Sequence, residues 1–387
     1  MPGGFIISQR FHFCNSQSNP ILAQASYLNC MRKFLQSLGV LLILVLAYLL
    51  LWPVPLNPQY FEPGENPGYS GPFERNDLMT SAAVFDLGTV GPEDVTKGPD
   101  GWLYTGVLDG RIFRCNPETG AAELYADTEG RPLGMQFDTL GNLYVADVGR
   151  GLIRITPEKE IEVLVEEHEG KRLLFADDLD MAADGSIWYS DVSTDWGFGH
   201  QTELAIDANP TGRLFRYDPV TDINSLVLDE LFFANGVAFG PREEYVLINE
   251  TLAARVRRLW LSGPKAGETD IFLEGVPGYV DNISFDGERF WIALPLPRSE
   301  ALEGLWTKSP MLRKIVYRIP EAIRPVQRPE DLGVVIGVDT LGQVTHCLMD
   351  QSGKFHEVTS VNNIDGVLYL GSIEMEGFGM LPLSELN

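Results

Sequence analysis

The sequence predicts an all-β fold, a six-bladed β-propeller with an N-terminal transmembrane helix, and two observations carry that prediction. A unit of short strands and tight turns recurs along most of the chain. A charge-free apolar run with two basic residues directly ahead of it precedes the first unit.

The repeat is plainest in its turns. One unit runs from Glu93-Asp94-Val95 through Pro99-Asp100-Gly101-Trp102-Leu103-Tyr104 to Gly110-Arg111-Ile112-Phe113-Arg114. The next has Leu133-Gly134-Met135, Leu140-Gly141-Asn142-Leu143-Tyr144 and Gly151-Leu152-Ile153-Arg154, and a third has Asp177-Asp178-Leu179, Asp184-Gly185-Ser186 and Gly212-Arg213-Leu214. A fourth opens at Asn235-Gly236-Val237, a fifth at Asp281-Asn282-Ile283, and a sixth is legible in Asp365-Gly366-Val367 and Phe378-Gly379-Met380. Openings at 93, 133, 177, 235 and 281 are 40, 44, 58 and 46 residues apart. Short β-branched and aromatic strands joined by D-G or G-N turns at that spacing make four-stranded blades, and radial repetition of blades protects their edges. A sandwich needs fewer strands, and a helical solenoid needs 3.6-residue periodicity, which is absent. The exception is Ser299 to Arg324, where Leu302, Leu305, Met311 and Leu312 predict an excursion with some helix.

Phe34 to Trp52 is a run of 19 residues without a charge, behind Arg32 and Lys33. As a helix it reaches roughly 28 Å, close to a bilayer's hydrocarbon core. The basic pair on the cytoplasmic side makes residues 31–53 a signal-anchor, with the large domain outside the cytoplasm in periplasm, lumen or at the cell surface. A cleaved signal would continue in small residues, whereas here Trp52-Pro53-Val54-Pro55-Leu56-Asn57-Pro58 reads as an extended stalk over 54–80. Residues 1–30 show no periodicity and are expected to be disordered or to precede the natural start at Met31. The propeller takes 81–387.

Net charge is −25, and the first sixty residues hold three basic and no acidic side chains. The remainder therefore carries 26 basic against 54 acidic groups, or −28. Such a surface excludes nucleic acid as a partner and repels anionic lipid. Cys115 and Cys347 are the cysteines in the globular part, and no spacing fits a zinc site. They either pair in an oxidising compartment or remain core thiols.

In a propeller the residues just ahead of each innermost strand converge on the axis at one face. Here they are Glu93, Leu133, Asp177, Asn235, and Asp281 with Asn282. Asp and Asn at a strand entrance are usually turn formers. Four of five units presenting an oxygen donor in register is a different matter, because carboxylates meeting on one axis repel unless a cation lies between them. An all-oxygen set without sulfur or imidazole suits Ca²⁺, or another hard divalent metal.

From about Asp86 to Leu383 the chain resembles the superfamily of strictosidine synthase-like proteins, gluconolactonases and paraoxonases. The resemblance rests on Gly130-Arg131-Pro132-Leu133-Gly134, Phe232-Phe233-Ala234-Asn235-Gly236-Val237, Ala254-Arg255-Val256-Arg257-Arg258 and Pro277-Gly278-Tyr279-Val280-Asp281-Asn282-Ile283. It implies six blades and an axial calcium. Glu93, Asn235, Asp281 and Asn282 match metal-binding positions of that superfamily, and Asp177 falls where relatives commonly carry asparagine. Gluconolactonase-like members use the aspartate matching Asp281 as ligand and base, so Asp281 is the candidate catalytic residue, either as base or as ligand alone.

Two departures narrow the chemistry. Leu133 occupies the place of the paraoxonase-like histidine, and Thr359 stands near the glutamate that strictosidine condensation requires, with Glu357 two residues away. His200, Trp196 and Phe198 lie in the long excursion Ser193 to Pro210, where they either overhang the channel or sit at the surface. The Arg255, Arg257 and Arg258 cluster is either an anion site or a strand balancing acidic neighbours. The leading expectation is a membrane-anchored, calcium-dependent arylesterase or lactonase acting on a small-molecule ester or lactone. The alternatives are a non-catalytic, calcium-stabilised interaction platform or a strictosidine synthase-like lyase.

Overall fold

The structure, a computed structural model, describes residues 20–324 and 330–386, and the chain forms two compact units, 1–54 and 55–387. In the first unit, helix α1 (Pro20–Leu51) includes a stretch, Tyr27–Leu51, long and apolar enough to cross a membrane. It opens at a proline, whose missing N–H costs no helical bond at that position. Residues 20–30 are thus helical where disorder was expected, since no Gly, Pro or charge interrupts Ile21 to Cys30. The first nineteen residues lie outside those described.

The second unit is the propeller. Six four-stranded antiparallel sheets are present among the described residues, with inner strands Val95–Lys97, Arg131–Phe137, Ala176–Met181, Ala234–Phe239, Ile283–Phe285 and Val358–Ile364. Second strands such as Leu103–Gly106, Ile187–Asp191 and Tyr245–Glu250 are buried at every position, because each blade is covered on both faces by its neighbours. The hairpin turns use one device repeatedly. Asp100, Asp138 and Asp184 accept main-chain N–H bonds from Trp102, Leu140 and Ser186 at 2.9–3.1 Å.

Blade 6 is closed by the other end of the chain. Ala83–Asp86 forms its outermost strand, antiparallel to Gly377–Pro382 with Ala83 opposite Met380. Ring closure is therefore made by strand pairing between the two ends of the propeller unit.

Both long excursions sit between the second and third strands of their blades. In blade 3 the connection holds α2 (Gln201–Asp207), and in blade 5 it holds α3 (Glu300–Trp306) and α4 (Pro310–Arg318). A second strand ends on the face where the first begins, so both lie over the mouth of the axis. Ser299 and Ser309 cap α3 and α4. The three helices interlock: Trp306 Nε1 donates to Ala205 O (2.7 Å), Tyr317 to Glu203 (3.2 Å), and the fully buried Arg313 to Asp207 O (2.8 Å).

The segment expected to be an extended stalk is held along the propeller unit, over 57–65 by these helices and the residues beside them and at 76–79 by blade 5. Asn57 N donates to Asp207 Oδ1 (2.8 Å), Gln59 O accepts from Arg313, and Gly64 O and Glu65 O accept from Arg298 (2.6 and 3.0 Å). Phe61 stacks on Phe232 at 4.1 Å. Proline composition alone reads as a spacer, whereas buried Leu56, Phe61, Phe73 and Met79 make the strand adhere. Cys115 and Cys347 are both free thiols.

Candidate metal centre and active site

The axial face is built by a bulge repeated in four blades. Inner-strand register slips by one residue between Pro132 and Met135, Ala176 and Leu179, Ala234 and Val237, and Val358 and Val361. A bulge breaks strict alternation and re-aims side chains. The bulged pairs are Leu133-Gly134, Asp177-Asp178, Asn235-Gly236 and Thr359-Ser360. Glu93-Asp94 and Asp281-Asn282 hold the same place immediately before the inner strands of blades 1 and 5.

The first member of every pair lines one cavity and four of the second members line another. Glu93, Leu133, Asp177, Asn235, Asp281 and Thr359 form the floor of an upper cavity of about 210 Å³. Asp94, Asp178, Asn282 and Ser360 line a lower channel with Gln136 and Asp180. The two remaining second members are glycines for a steric reason. A Cβ on Gly134 would lie 2.4 Å from Asp178 Oδ1, and one on Gly236 would lie 2.6 Å from Asp281 O.

Glu93, Asp177 and Asp281 are held among one another's charges. Burial, then the negative charges of Asp177 and Asp281, lifts the Glu93 carboxyl well above its ordinary range. Burial and Asp281 lift Asp177 in the same way, and burial pushes Asp281 up to about 7 against a hydrogen bond from Asn235. Asn282 Nδ2 donates to Glu93 Oε1 (2.8 Å), Asn235 Nδ2 to Asp281 Oδ1, and Asn249 Nδ2 to Asp281 O. With their amide nitrogens so engaged, Asn235, Asn249 and Asn282 each leave a buried Oδ1 without a partner, and Glu93 Oε2 is likewise unpartnered. Two of these, Glu93 Oε2 and Asn235 Oδ1, belong to residues lining the upper cavity, and buried orphaned oxygens are costly unless a ligand satisfies them.

Among the described residues no three His, Cys, Asp or Glu side chains form a metal-holding group by themselves. The donor set is instead mixed carboxylate and amide oxygen, and its orphaned oxygens fit a hard divalent cation.

The walls above this floor are apolar. Phe175, Phe198, Phe233, Tyr279, Leu296 and Leu302 line the upper cavity, so α2, α3 and the blade 4 entrance loop supply its roof. His200 takes no part. Its side chain is 56% exposed and lies 3.6 Å from Glu203, and no histidine lines the cavity among the described residues. Arg255 and Arg257 both pair with the buried Glu250, and Arg258 with Asp270, so the arginine cluster is partnered within blade 4.

The structure brings Glu93, Leu133, Asp177, Asn235 and Asp281 of five blades to one cavity and sets Asn282 in the channel beneath, and three further residues of the region were not anticipated from the sequence. Thr359 completes the ring as the sixth position, donating its hydroxyl to Glu93 O (2.8 Å). Asn249, at the end of a second strand, reaches the floor from behind Asp281. Arg131 is buried in the same region, donating to Gly91 O (2.8 Å), and burial lowers its pKa against the pull of Glu93 and Asp177. A polar residue ending an otherwise apolar strand, as in Asn249 and Glu250, was the available signal.

A family model described as strictosidine synthase matches residues 177–264, and one described as strictosidine synthase-like, N-terminal, matches residues 71–115. The adipocyte plasma membrane-associated protein of Rattus norvegicus is 31% identical over 378 residues, covering 91% of this chain and 100% of that protein. The chain belongs to the strictosidine synthase-like family. Another relative, strictosidine synthase-like protein 13 of Arabidopsis thaliana, is 33% identical over 329 residues, covering 76% of this chain and 78% of the relative. Among solved structures, a gluconolactonase from Xanthomonas campestris superposes with a TM-score of 0.58 at 17% identity, over 79% of this chain and 90% of that one. A calcium-binding regucalcin from Agrobacterium tumefaciens superposes with a TM-score of 0.56 at 14% identity, over 78% and 93%. At those identities the family member shares their fold.

Proposed function

We propose that this strictosidine synthase-like protein is a membrane-anchored, calcium-dependent hydrolase of esters or lactones with an apolar acyl part. The observation that carries the reading is one cavity with unpartnered buried oxygens on its floor and aromatic and aliphatic walls above. Glu93, Asp177, Asn235, Asp281 and Asn282 are the proposed metal ligands. Calcium bound there supplies a positive charge that polarises a carbonyl and offsets the charge developing on its oxygen.

The chain's own groups do the rest. Phe175, Tyr279 and Leu302 take the acyl part out of water. Asp281 accepts the proton of the attacking water, which places the base on the floor beneath the carbonyl. Asn235 holds that carboxylate from one side, while Asn249 holds its main-chain carbonyl. Asp177, a carboxylate where relatives commonly carry an amide, adds one negative charge and tightens cation binding. Leu133 supplies no imidazole, so a histidine-assisted route is closed. Thr359 presents a hydroxyl bonded to Glu93 O rather than a carboxylate, which disfavours condensation chemistry. The helix α1 is the proposed anchor, with Arg32 and Lys33 cytoplasmic and the propeller outside.

The test is hydrolysis of an aryl-ester and lactone panel by the full chain in detergent, with and without chelator. Turnover lost on chelation below the melting temperature and restored by Ca²⁺ is the expected result. A folded, calcium-loaded protein that turns over nothing overturns the hydrolase and favours an interaction platform.

A further inference from the structure

Blades 2, 3 and 4 pin their entrance loops by one device. A carboxylate at the end of the second strand accepts a main-chain N–H just ahead of the bulge: Asp147 from Arg131 (3.3 Å), Asp191 from Phe175 (3.1 Å) and Glu250 from Phe232 (3.1 Å). In each blade the residue directly before the bulge stands opposite that carboxylate: Pro132 with Asp147, Ala176 with Asp191, Ala234 with Glu250. In blades 2 and 3 the pinned residue immediately precedes it. In blade 4 one more residue, Phe233, is inserted between them.

Phe233 takes up the extra length with a φ of 62°, in the left-handed region. Among the described residues it is the one large apolar side chain with positive φ, the other non-glycines there being alanine, acidic or basic. An L residue with a bulky Cβ substituent adopts that conformation only where its surroundings enforce it. Here they do. Thr251 N donates to Phe233 O (3.0 Å), Leu252 N donates to Phe232 O (3.3 Å), and Glu250 is itself clamped by Arg255 and Arg257 (2.7 and 3.0 Å). Glycine would satisfy this backbone without strain, so the side chain is what the position is for. Its ring lines the upper cavity beside Asn235 and stands edge-on to Phe175, with centroids 5.9 Å apart at 66°.

We infer that Phe233 is a specificity-determining residue, a wall that limits the size of the acyl group admitted above the floor. The inference rests on the ester or lactone reading for its substrate class but not for its geometry. Phe233→Gly and Phe233→Ala both remove the wall, and only the glycine also removes the strain. Each is made in the full chain and compared with wild type for melting temperature and for turnover of para-nitrophenyl butyrate and octanoate. Calorimetric affinities for butyrate and octanoate, the corresponding carboxylates, are measured alongside.

The octanoate-to-butyrate preference is expected to rise about tenfold or more in both variants, the range a hydrophobic pocket gives for added methylenes. The glycine variant is expected to melt roughly 2 °C or more above the alanine variant, reversing the usual order. A preference unchanged within about twofold in a wild type and variants that turn over, or an alanine variant more stable than the glycine one, overturns the inference. If wild type hydrolyses neither ester, the hydrolase reading fails separately. The carboxylate affinities then decide the wall, and an unchanged ratio overturns it.

Discussion

Two sets of buried carboxylates share the propeller axis, and they are partnered in different ways. In the lower channel each is stitched to the main chain of a neighbouring blade: Asp94 accepts from Met135 N (3.4 Å), Asp178 from Val237 N (2.8 Å) and Asp180 from Phe239 N (2.8 Å). At the upper cavity Glu93 and Asp281 accept from the side-chain amides of Asn282 and Asn235, whose own oxygens are left unsatisfied. Residue type and burial are the same in both places. What differs is the partner: the lower carboxylates accept from main-chain N–H groups fixed by the sheets, whereas the upper ones accept from side-chain amides and leave Glu93 Oε2 and Asn235 Oδ1 open to a ligand at the cavity.

The largest effect that would break this contrast is on turnover. Asp281→Asn keeps an oxygen donor and loses the base, so kcat is expected to fall by about 10² or more at saturating Ca²⁺. Full turnover in a calcium-binding Asp281→Asn protein would reduce Asp281 to a ligand.

Stability against pH sharpens the contrast next. Glu93, Asp177 and Asp281 have raised pKa values, the last about 7, so the metal-free folded state holds protons that the unfolded chain releases. Folding of chelated protein is therefore expected to strengthen as pH falls from 8 through 7 towards the ordinary carboxylate range near 4. Ca²⁺ keeps those carboxylates ionised, so its stabilisation is greatest at the alkaline end. There it amounts to about 4 kcal/mol when the ion is at about 1,000 times its Kd. Thermal melts at pH 8 and 6, with chelator and with Ca²⁺, measure both slopes, and parallel slopes would contradict the assignment.

The smallest effect belongs to the lower channel. Asp180 is lifted to about 6 by burial, against hydrogen bonds from Phe239 and Met181. Its charge thus costs stability above pH 6, and Asp180→Asn is expected to melt no lower than wild type at pH 8, with calcium affinity unchanged.

The blade count and the converging positions were legible because turn chemistry and strand length repeat in register, as in Asp100-Gly101 and Asp184-Gly185. The closing strand was not. Ala83–Asp86 is a short apolar stretch whose partner, Gly377–Pro382, lies at the far end of the chain, and no local pattern encodes that pairing. The docking of 57–65 is illegible for a related reason, since Asn57 and Phe61 meet Asp207 of α2 and Trp306 of α3, whose placement is a tertiary fact. Phe233 stands in the stretch Phe232 to Val237, yet its role depends on one inserted residue visible only against the registers of blades 2 and 3. Leu133, Asp177 and Asn235 were readable because their bulges fall at one place in each repeat.

Calcium titration of the chelator-stripped full chain, wild type against Asn235→Ala and Asp180→Asn, tests the central claim most directly. The expected result is one tight site per chain, weakened at least about tenfold in Asn235→Ala and unaltered in Asp180→Asn. Binding that survives Asn235→Ala unchanged but is lost in Asp180→Asn would place the ion in the lower channel and contradict the assignment of the upper cavity.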